Sequence, residues 1–316
     1  MKELRIGTRG SPLALWQARA VAAAIQAAGG PPSELVPIKT TGDRMAQAPL
    51  SAVGGKRLFV KEIEEALLAA SVDLAVHSAK DLPVEIPAGL HIDAALPRED
   101  PRDAFVVSRT RDELAPAGAA ELVESVGPSA RIGTGSIRRK AQLARAFADV
   151  TVAPVRGNLG TRLRKLDSGE YDLLVLAAAG LVRLDLAHRI AACLPFETCV
   201  PAPGQGIVAV ETRTDDSSTR NLVTRISNTA VSAALRSERA LATALGGGCD
   251  VPLGAVATVE ADGLNLRAVV ASPDGSQLIR AQARAPVVEA SALGERVARD
   301  LLADGAEILL ANLDHL

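Results

Sequence analysis

Apolar positions along this chain recur in two rhythms, one helical and one alternating. Leu4–Thr8 reads as a short strand. Ser11-Pro12 then opens a helix, because serine is a good N-cap and proline suits the first helical position. Ala14, Ala18, Val21, Ile25 and Ala28 form an apolar stripe at helical spacing, stopped by Gly29-Gly30-Pro31-Pro32. Glu34–Lys39 is the next strand. Residues 40–57 are rich in glycine and polar groups and show no period, so they read as a long loop and a candidate lid. Leu58–Ala70 reads as a helix, and Asp73–His77 and His91–Leu96 as strands.

An internal echo links the first hundred residues to the second hundred. Arg5-Ile6-Gly7-Thr8 recurs as Arg131-Ile132-Gly133-Thr134, each followed by a serine (Ser11, Ser136) and a helical pattern. Asp73-Leu74-Ala75-Val76 pairs in the same order with Asp172-Leu173-Leu174-Val175. Two echoes in one order predict two similar α/β domains, each with a helix N-terminus at the C-terminal end of a strand. Free N–H groups and the helix dipole receive anions there, and two such domains facing each other make a cleft. Beyond residue 220 the pattern changes. Ser232–Leu245 is helical and ends at Gly246-Gly247-Gly248. The turns at Asp262-Gly263 and Pro273-Asp274-Gly275 predict a three-stranded antiparallel meander, and Val287–Ala303 a covering helix.

Composition narrows the function classes. The 316 residues suit two or three domains. A formal net charge of −2 and an aromatic content of 2% argue against nucleic acid as a partner, since neither a basic excess nor base-stacking platforms are provided. Three cysteines cannot build a disulfide framework. No long charge-free apolar run predicts a membrane span. The opening Lys2, Glu3 and Arg5 do not resemble a signal peptide, so a cytoplasmic location is expected. The charge is unevenly spread. From Arg131 to Lys165 there are nine basic residues and one acid, Asp149. Such a window is either a solvated helix face or an anion site built from arginine forks.

Several residues could carry chemistry. Cys249, after three glycines, is either a small buried hydrophobe or a reactive thiol. Cys193 and Cys199 lack metal-like spacing, and no metal is expected. His77-Ser78-Ala79-Lys80-Asp81 follows a predicted strand and sets a cation beside a carboxylate. Arg156-Gly157-Asn158-Leu159-Gly160-Thr161-Arg162 enters a helix but lacks the phosphate-loop pattern. From these residues alone, an anion-binding module on a bilobal scaffold and a phosphate-handling transferase remain open beside other enzymes.

Longer stretches identify a family. The chain resembles the porphobilinogen deaminase (hydroxymethylbilane synthase) family along nearly its whole length. The resemblance is carried by Thr8–Gln17, Val53-Gly54-Gly55-Lys56, Leu58–Glu62, Ala75–Asp81, Arg98–Phe105, Ser136-Ile137-Arg138-Arg139, Arg156-Gly157-Asn158, Pro201–Gly206 and Gly247-Gly248-Cys249. It implies an α/β fold of three domains: two periplasmic-binding-protein-like lobes and a smaller α+β C-terminal domain with a three-stranded antiparallel sheet. The expected extents are 1–102 plus 200–220 for lobe one, 103–199 for lobe two and 221–316 for the C-terminal domain. It implies a monomeric transferase that joins four porphobilinogen units head to tail, each losing ammonia. The cofactor implied is a dipyrromethane held through a thioether to Cys249, and the implied catalytic carboxylate is Asp81. Implied contacts to cofactor and substrate are Arg9, Ser11, Gln17, Lys56, Ser78, Lys80, Thr134, Ser136, Arg138, Arg139, Arg156, Arg162 and Arg183. Two positions depart from the family pattern: Gly135, where many relatives have serine, and Arg57, where a glycine is expected.

Overall fold

The structure, a computed structural model, describes residues 3–44, 59–109, 118–147, 149–247 and 251–311. The first part of the chain runs β1 (Leu4–Arg9), α1 (Pro12–Ala27), β2 (Ser33–Ile38), α2 (Thr41–Arg44), α3 (Lys61–Leu68), β3 (Leu74–Ser78) and β4 (Leu90–Ala95). The second part comprises β5 (Asp103–Val107), α4 (Ala119–Val126), β6 (Arg131–Gly133), α5 (Ile137–Ala146), β7 (Thr151–Ala153), α6 (Leu159–Asp167), β8 (Leu173–Ala177), α7 (Ala178–Arg183) and β9 (Ile190–Cys193). The chain then continues through β10 (Val208–Arg213), α8 (Ser217–Thr224), α9 (Thr229–Ala244), β11 (Leu253–Glu260), β12 (Gly263–Ala271), β13 (Leu278–Ala285), α10 (Ala290–Leu301) and α11 (Glu307–Ala311).

These strands form three sheets, ordered β2-β1-β3-β10-β4, β7-β6-β8-β5-β9 and β11-β12-β13. The first two have the same plan. In each, a β-α-β unit is followed by a third parallel strand, and one antiparallel strand is inserted before the edge. The inserted strand is in both cases the first one after the chain crosses between lobes: β5 enters the second sheet after β4, and β10 returns to the first after β9. The protein is therefore a mixed α/β molecule with two lobes and a third, antiparallel domain.

The sequence echo is a repeated piece of hydrogen bonding. Ile6 pairs with Leu74 and Gly7 with Ala75; Ile132 pairs with Leu173 and Gly133 with Leu174. The Arg5 amide donates to Asp73 Oδ2 at 2.8 Å, and the Arg131 amide donates to Asp172 Oδ2 at 2.9 Å. Each aspartate amide donates back to the arginine carbonyl. An aspartate just before the third strand thus caps the start of the first in both lobes.

Apolar helix faces cover both faces of each lobe sheet. Ala18, Val21 and Ile25 of α1 pack with Ile6, Leu74 and Val210, while Ile63 and Leu67 of α3 pack on the opposite face with Ala75. In the second lobe Leu122 and Leu143 cover Phe105 and Val175, and Leu163, Leu166 and Leu181 cover Leu174 and Leu176. Each fully buried Leu, Ile or Phe stabilises by about 1.5–3 kcal/mol relative to exposure. In the third domain α9 and α10 cover one sheet face, and Val256 and Val269 on the other face pack against Val200 of the return crossover. A buried ion pair ties this domain to the hinge. Arg98 Nη1 donates to Glu238 Oε1 at 2.6 Å, and Glu238 also accepts from the Gly204 and Ala257 amides.

The loop expected over 40–57 begins differently. Thr40 and Asp43 exchange hydrogen bonds, the Asp43 amide donating to Thr40 Oγ1 and Thr40 Oγ1 donating to Asp43 Oδ2, and this local exchange winds Thr41–Arg44 into a helical turn. The remainder of that loop, residues 45–57, lies outside the described residues.

Candidate active site

In both lobes the parallel strands end at the rim where α1, α5 and α6 begin. Ser11, Ser136 and Asn158 cap these helices, accepting from the amides of Ala14, Arg139 and Thr161. Against the lobe-one rim lies a cavity of about 60 Å³ whose wall includes Arg9, Ser11, Gln17, Phe59, His77, Ser78 and Asp81. Strand β3 supplies His77 and Ser78, and a single 3₁₀ turn over Ala79–Asp81 carries Lys80 and Asp81 into the cleft. Gln17 Nε2 donates to Ser78 Oγ at 2.8 Å. Arg9 is paired with Asp43 and lies 4.3 Å from the centre of the Phe59 ring. The Asp81 carboxylate accepts no hydrogen bond from a described residue, while its charge acts on Lys80 of its own turn and on Arg162 of lobe two.

The lobe-two side is basic. Arg162 Nε donates to the Gly157 carbonyl at 2.8 Å. Burial, with help from Arg139 and Arg156 and against Asp81, pulls the Arg162 guanidinium down to about 10. Thr134, at the end of β6, accepts from the Ser136 amide and is buried. An added Cβ at Gly135 would lie 2.8 Å from the Val155 carbonyl oxygen, so a side chain there fits only if the backbone just after β7 shifts.

Between the lobes sits Asp103, fully buried at the start of β5. It accepts from Arg138 Nη1 at 2.7 Å, Arg139 Nε at 2.9 Å and Gln205 Nε2 at 2.8 Å. Burial opposes its ionisation, but the two guanidinium groups hold its carboxyl far below the usual range. Cys199 lies 3.3 Å away, and burial together with the Asp103 charge pushes its thiol up to about 12. Gln205 joins this cluster to the cleft, because its Oε1 accepts from Lys80 Nζ at 3.3 Å. Burial is the main reason that the Lys80 ammonium is pulled down to about 8; Asp81 opposes this and Arg139 adds to it.

Two glycines allow the return crossover to lie this close. Gly204 has φ +76° and an added Cβ would come within 2.9 Å of the Ala79–Lys80 backbone; Gly206 has φ +84° and a Cβ there would lie 2.4 Å from the Glu99 carbonyl. Arg183 of α7 donates to the Gly206 carbonyl at 2.7 Å and lies 5.4 Å from the Trp16 ring of α1, across the lobes. Burial lowers its pKa, opposed by Glu99.

Of the residues expected at the site, Arg9, Ser11, Gln17, Ser78 and Asp81 share one cavity. Lys80, Arg138 and Arg139 converge on the Gln205–Asp103 cluster, and Arg156 and Arg162 belong to the same electrostatic neighbourhood. Arg138, Arg139 and Arg183 are spent largely on protein groups. Lys56, Arg57 and Cys249 lie outside the described residues. Sequence reasoning did not single out Asp103, Gln205, Asp43 or Glu238. The first two stood inside recognised motifs, and their role as partners of distant arginines is a long-range contact with no local periodic signal.

Residues 4–221 match the family model "Porphobilinogen deaminase, dipyromethane cofactor binding domain", and residues 233–303 match "Porphobilinogen deaminase, C-terminal domain". Among solved structures, the Bordetella pertussis BvgS VFT2 domain is 16% identical, with 71% of this chain and 85% of that chain covered and a TM-score of 0.42. Immunogenic lipoprotein A from Vibrio vulnificus is 12% identical, with 74% and 99% covered and a TM-score of 0.44. These likenesses add nothing to the sheet order already described. The two family matches together span both lobes and the third domain, and the chain belongs to the porphobilinogen deaminase family.

Proposed function

We propose that this transferase of tetrapyrrole synthesis joins four porphobilinogen units head to tail, releasing ammonia at each addition and linear hydroxymethylbilane at the end. It does so on a dipyrromethane bound through a thioether to Cys249, as a cytoplasmic monomer that needs no metal. The proposed lobes are 1–102 with 200–220 and 103–199, and the cofactor-anchoring domain is 221–316. One observation carries the reading: a carboxylate with no hydrogen bond from a described residue, Asp81, faces a cleft whose other side is cationic, and its charge is felt by Lys80 and Arg162.

The residues suit the group. Each pyrrole unit carries an acetate and a propionate, so a bound dipyrromethane and a growing chain present many carboxylates. Lys80, Arg156 and Arg162 offer cations for them, and Ser11, Ser78, Thr134 and Ser136 offer hydroxyls. When bound, the group supplies the pyrrole carbon from which the chain grows. Asp81 holds a pyrrole N–H as ammonia leaves porphobilinogen and positive charge develops on that ring, and it assists the accompanying proton transfers. Burying the cleft strengthens this pairing, because the effective dielectric falls.

Intact mass spectrometry tests the reading. Freshly purified protein is expected to carry a covalent excess of two pyrrole units, absent in Cys249→Ser. A bare-chain mass in active enzyme refutes the attachment. The Lys80 ammonium gives a second test. It is charged below about 8 and sheds its proton above that, well before an ordinary lysine does. KM for porphobilinogen is therefore expected to rise as the pH passes through about 8, with kcat less affected. A KM that stays flat through this range counts against Lys80 as a carboxylate ligand.

A further inference from the structure

Three buried polar atoms beside the cavity make no hydrogen bond to a described residue: His77 Nε2 and both carboxylate oxygens of Glu211. The two side chains are 3% and 0% exposed, and Nε2 lies 3.3 Å from Glu211 Oε2. They come from neighbouring antiparallel strands. His77 of β3 pairs with Ala209 of β10, and Glu211 is the next residue on that face. Leaving such groups unmade is costly, so this pair calls for an explanation that the assigned site residues do not give.

The surroundings narrow it. The charge of Arg239 on α9 acts on Glu211, but its Nη2 donates to the Val84 carbonyl instead. His77 is also among the residues that line the cavity, with Asp81, Ser78 and the cation Arg9. A bare imidazole nitrogen facing a carboxylate sets lone pair against lone pair; a proton on Nε2 with a small rotation of the ring would relieve this and complete the hydrogen bond. A carboxylate that holds one ring N–H fixes the tautomer and leaves the other nitrogen basic.

We propose that Glu211 holds His77 as the Nε2–H tautomer, and that His77, through Nδ1, is a second proton-handling residue in the wall of the Asp81 cavity. The proposal rests on the reaction given above. In each addition a C–C bond forms between the porphobilinogen methylene and a ring carbon. The C–N bond breaks with its electron pair on nitrogen. The hydrogen of the attacked ring carbon leaves as a proton and ends on the departing ammonia, so no proton is consumed overall. His77 Nδ1 takes that proton and passes it on toward the departing ammonia, sharing the proton transfers with Asp81, which faces the cationic ring. Glu211 is a positioning residue, acting through His77.

The test uses the full chain labelled with ¹⁵N. The four histidines give separable ring signals, and His77 is assigned from its loss in His77→Gln. The resting protein is expected to show His77 protonated at Nε2 and unprotonated at Nδ1, with the Nδ1 signal moving when porphobilinogen is added. Glu211→Gln is expected to lower kcat by about 10–100-fold with KM little changed and the intact mass unaltered. Protonation at Nδ1 instead, or wild-type kcat in Glu211→Gln, overturns the proposal. If Glu211→Gln does not fold, the tautomer of the unaltered protein decides alone. Hydroxymethylbilane formation by the wild type in the same assay keeps a failure here distinct from a failure of the underlying reaction.

Discussion

Replacing Asp81 by alanine is expected to leave the fold intact and to lower hydroxymethylbilane formation by about 10²–10⁴-fold. The side chain sits on a 3₁₀ turn, half-exposed, and it accepts no hydrogen bond from a described residue. Removing it therefore breaks no packing and strands no buried partner. What is lost is the negative charge at the place where the pyrrole becomes cationic. Arg162 and Lys80 both lose a charge that opposes their pKa depression, so the Lys80 ammonium sheds its proton at still lower pH than about 8. The loss is thus expected chiefly in kcat, with the rise in KM tied to Lys80 moved to lower pH. Thermal unfolding, read beside steady-state kinetics, checks both halves. Near-normal turnover in a well-folded Asp81→Ala protein would falsify the role assigned to this carboxylate.

Asp103→Ala has the opposite profile: a large effect on stability, reaching activity only through it. The variant leaves Arg138 and Arg139 buried with no carboxylate between them and removes an acceptor from Gln205. Breaking one side of a buried ion pair costs about 3–5 kcal/mol, because an uncompensated charge remains. Denaturant midpoints should fall accordingly. Combining Asp103→Ala with Arg138→Met should recover part of the loss, since one stranded charge is then gone. The pH dependence comes from the depressed carboxyl of Asp103. Its contribution is fully present above the ordinary carboxylate pKa of about 4 and is lost as the pH falls below that toward the folded value. The gap between wild type and variant should be constant near neutrality and close in acid. An unchanged midpoint for Asp103→Ala at neutral pH would mean that the two guanidinium groups find other partners.

Much of the architecture was legible in local pattern. The echoed Arg-Ile-Gly-Thr and Asp-Leu segments mark the same strand pair in both lobes, because in each an aspartate must reach the first amide of the neighbouring strand. Ser11 and Ser136 announced their helices, and Asp262-Gly263 and Pro273-Asp274-Gly275 lie at the turns of the meander. The site was legible as a set of residues, less so as a set of partners. The basic window from Arg131 to Lys165 looked unneutralised because its main counter-charge, Asp103, lies outside it in sequence. The partner of Arg9, Asp43, comes from a helical turn whose signal is the Thr40–Asp43 exchange. Long-range pairing leaves no periodic trace, so acids contributed by distant segments are what a window count misses.

The exchange of strands between the lobes has a consequence for the order in which the protein is completed during synthesis. Among the described strands β4 pairs with β10 alone, and β10 is made after the whole of lobe two. A nascent chain ending near β9 therefore holds every strand of the second sheet but an unfinished first one, with β4 lacking a neighbour. Domains commonly fold in the order in which they emerge. Here the later lobe can close first, and the earlier one waits for a strand that arrives from the far side of it.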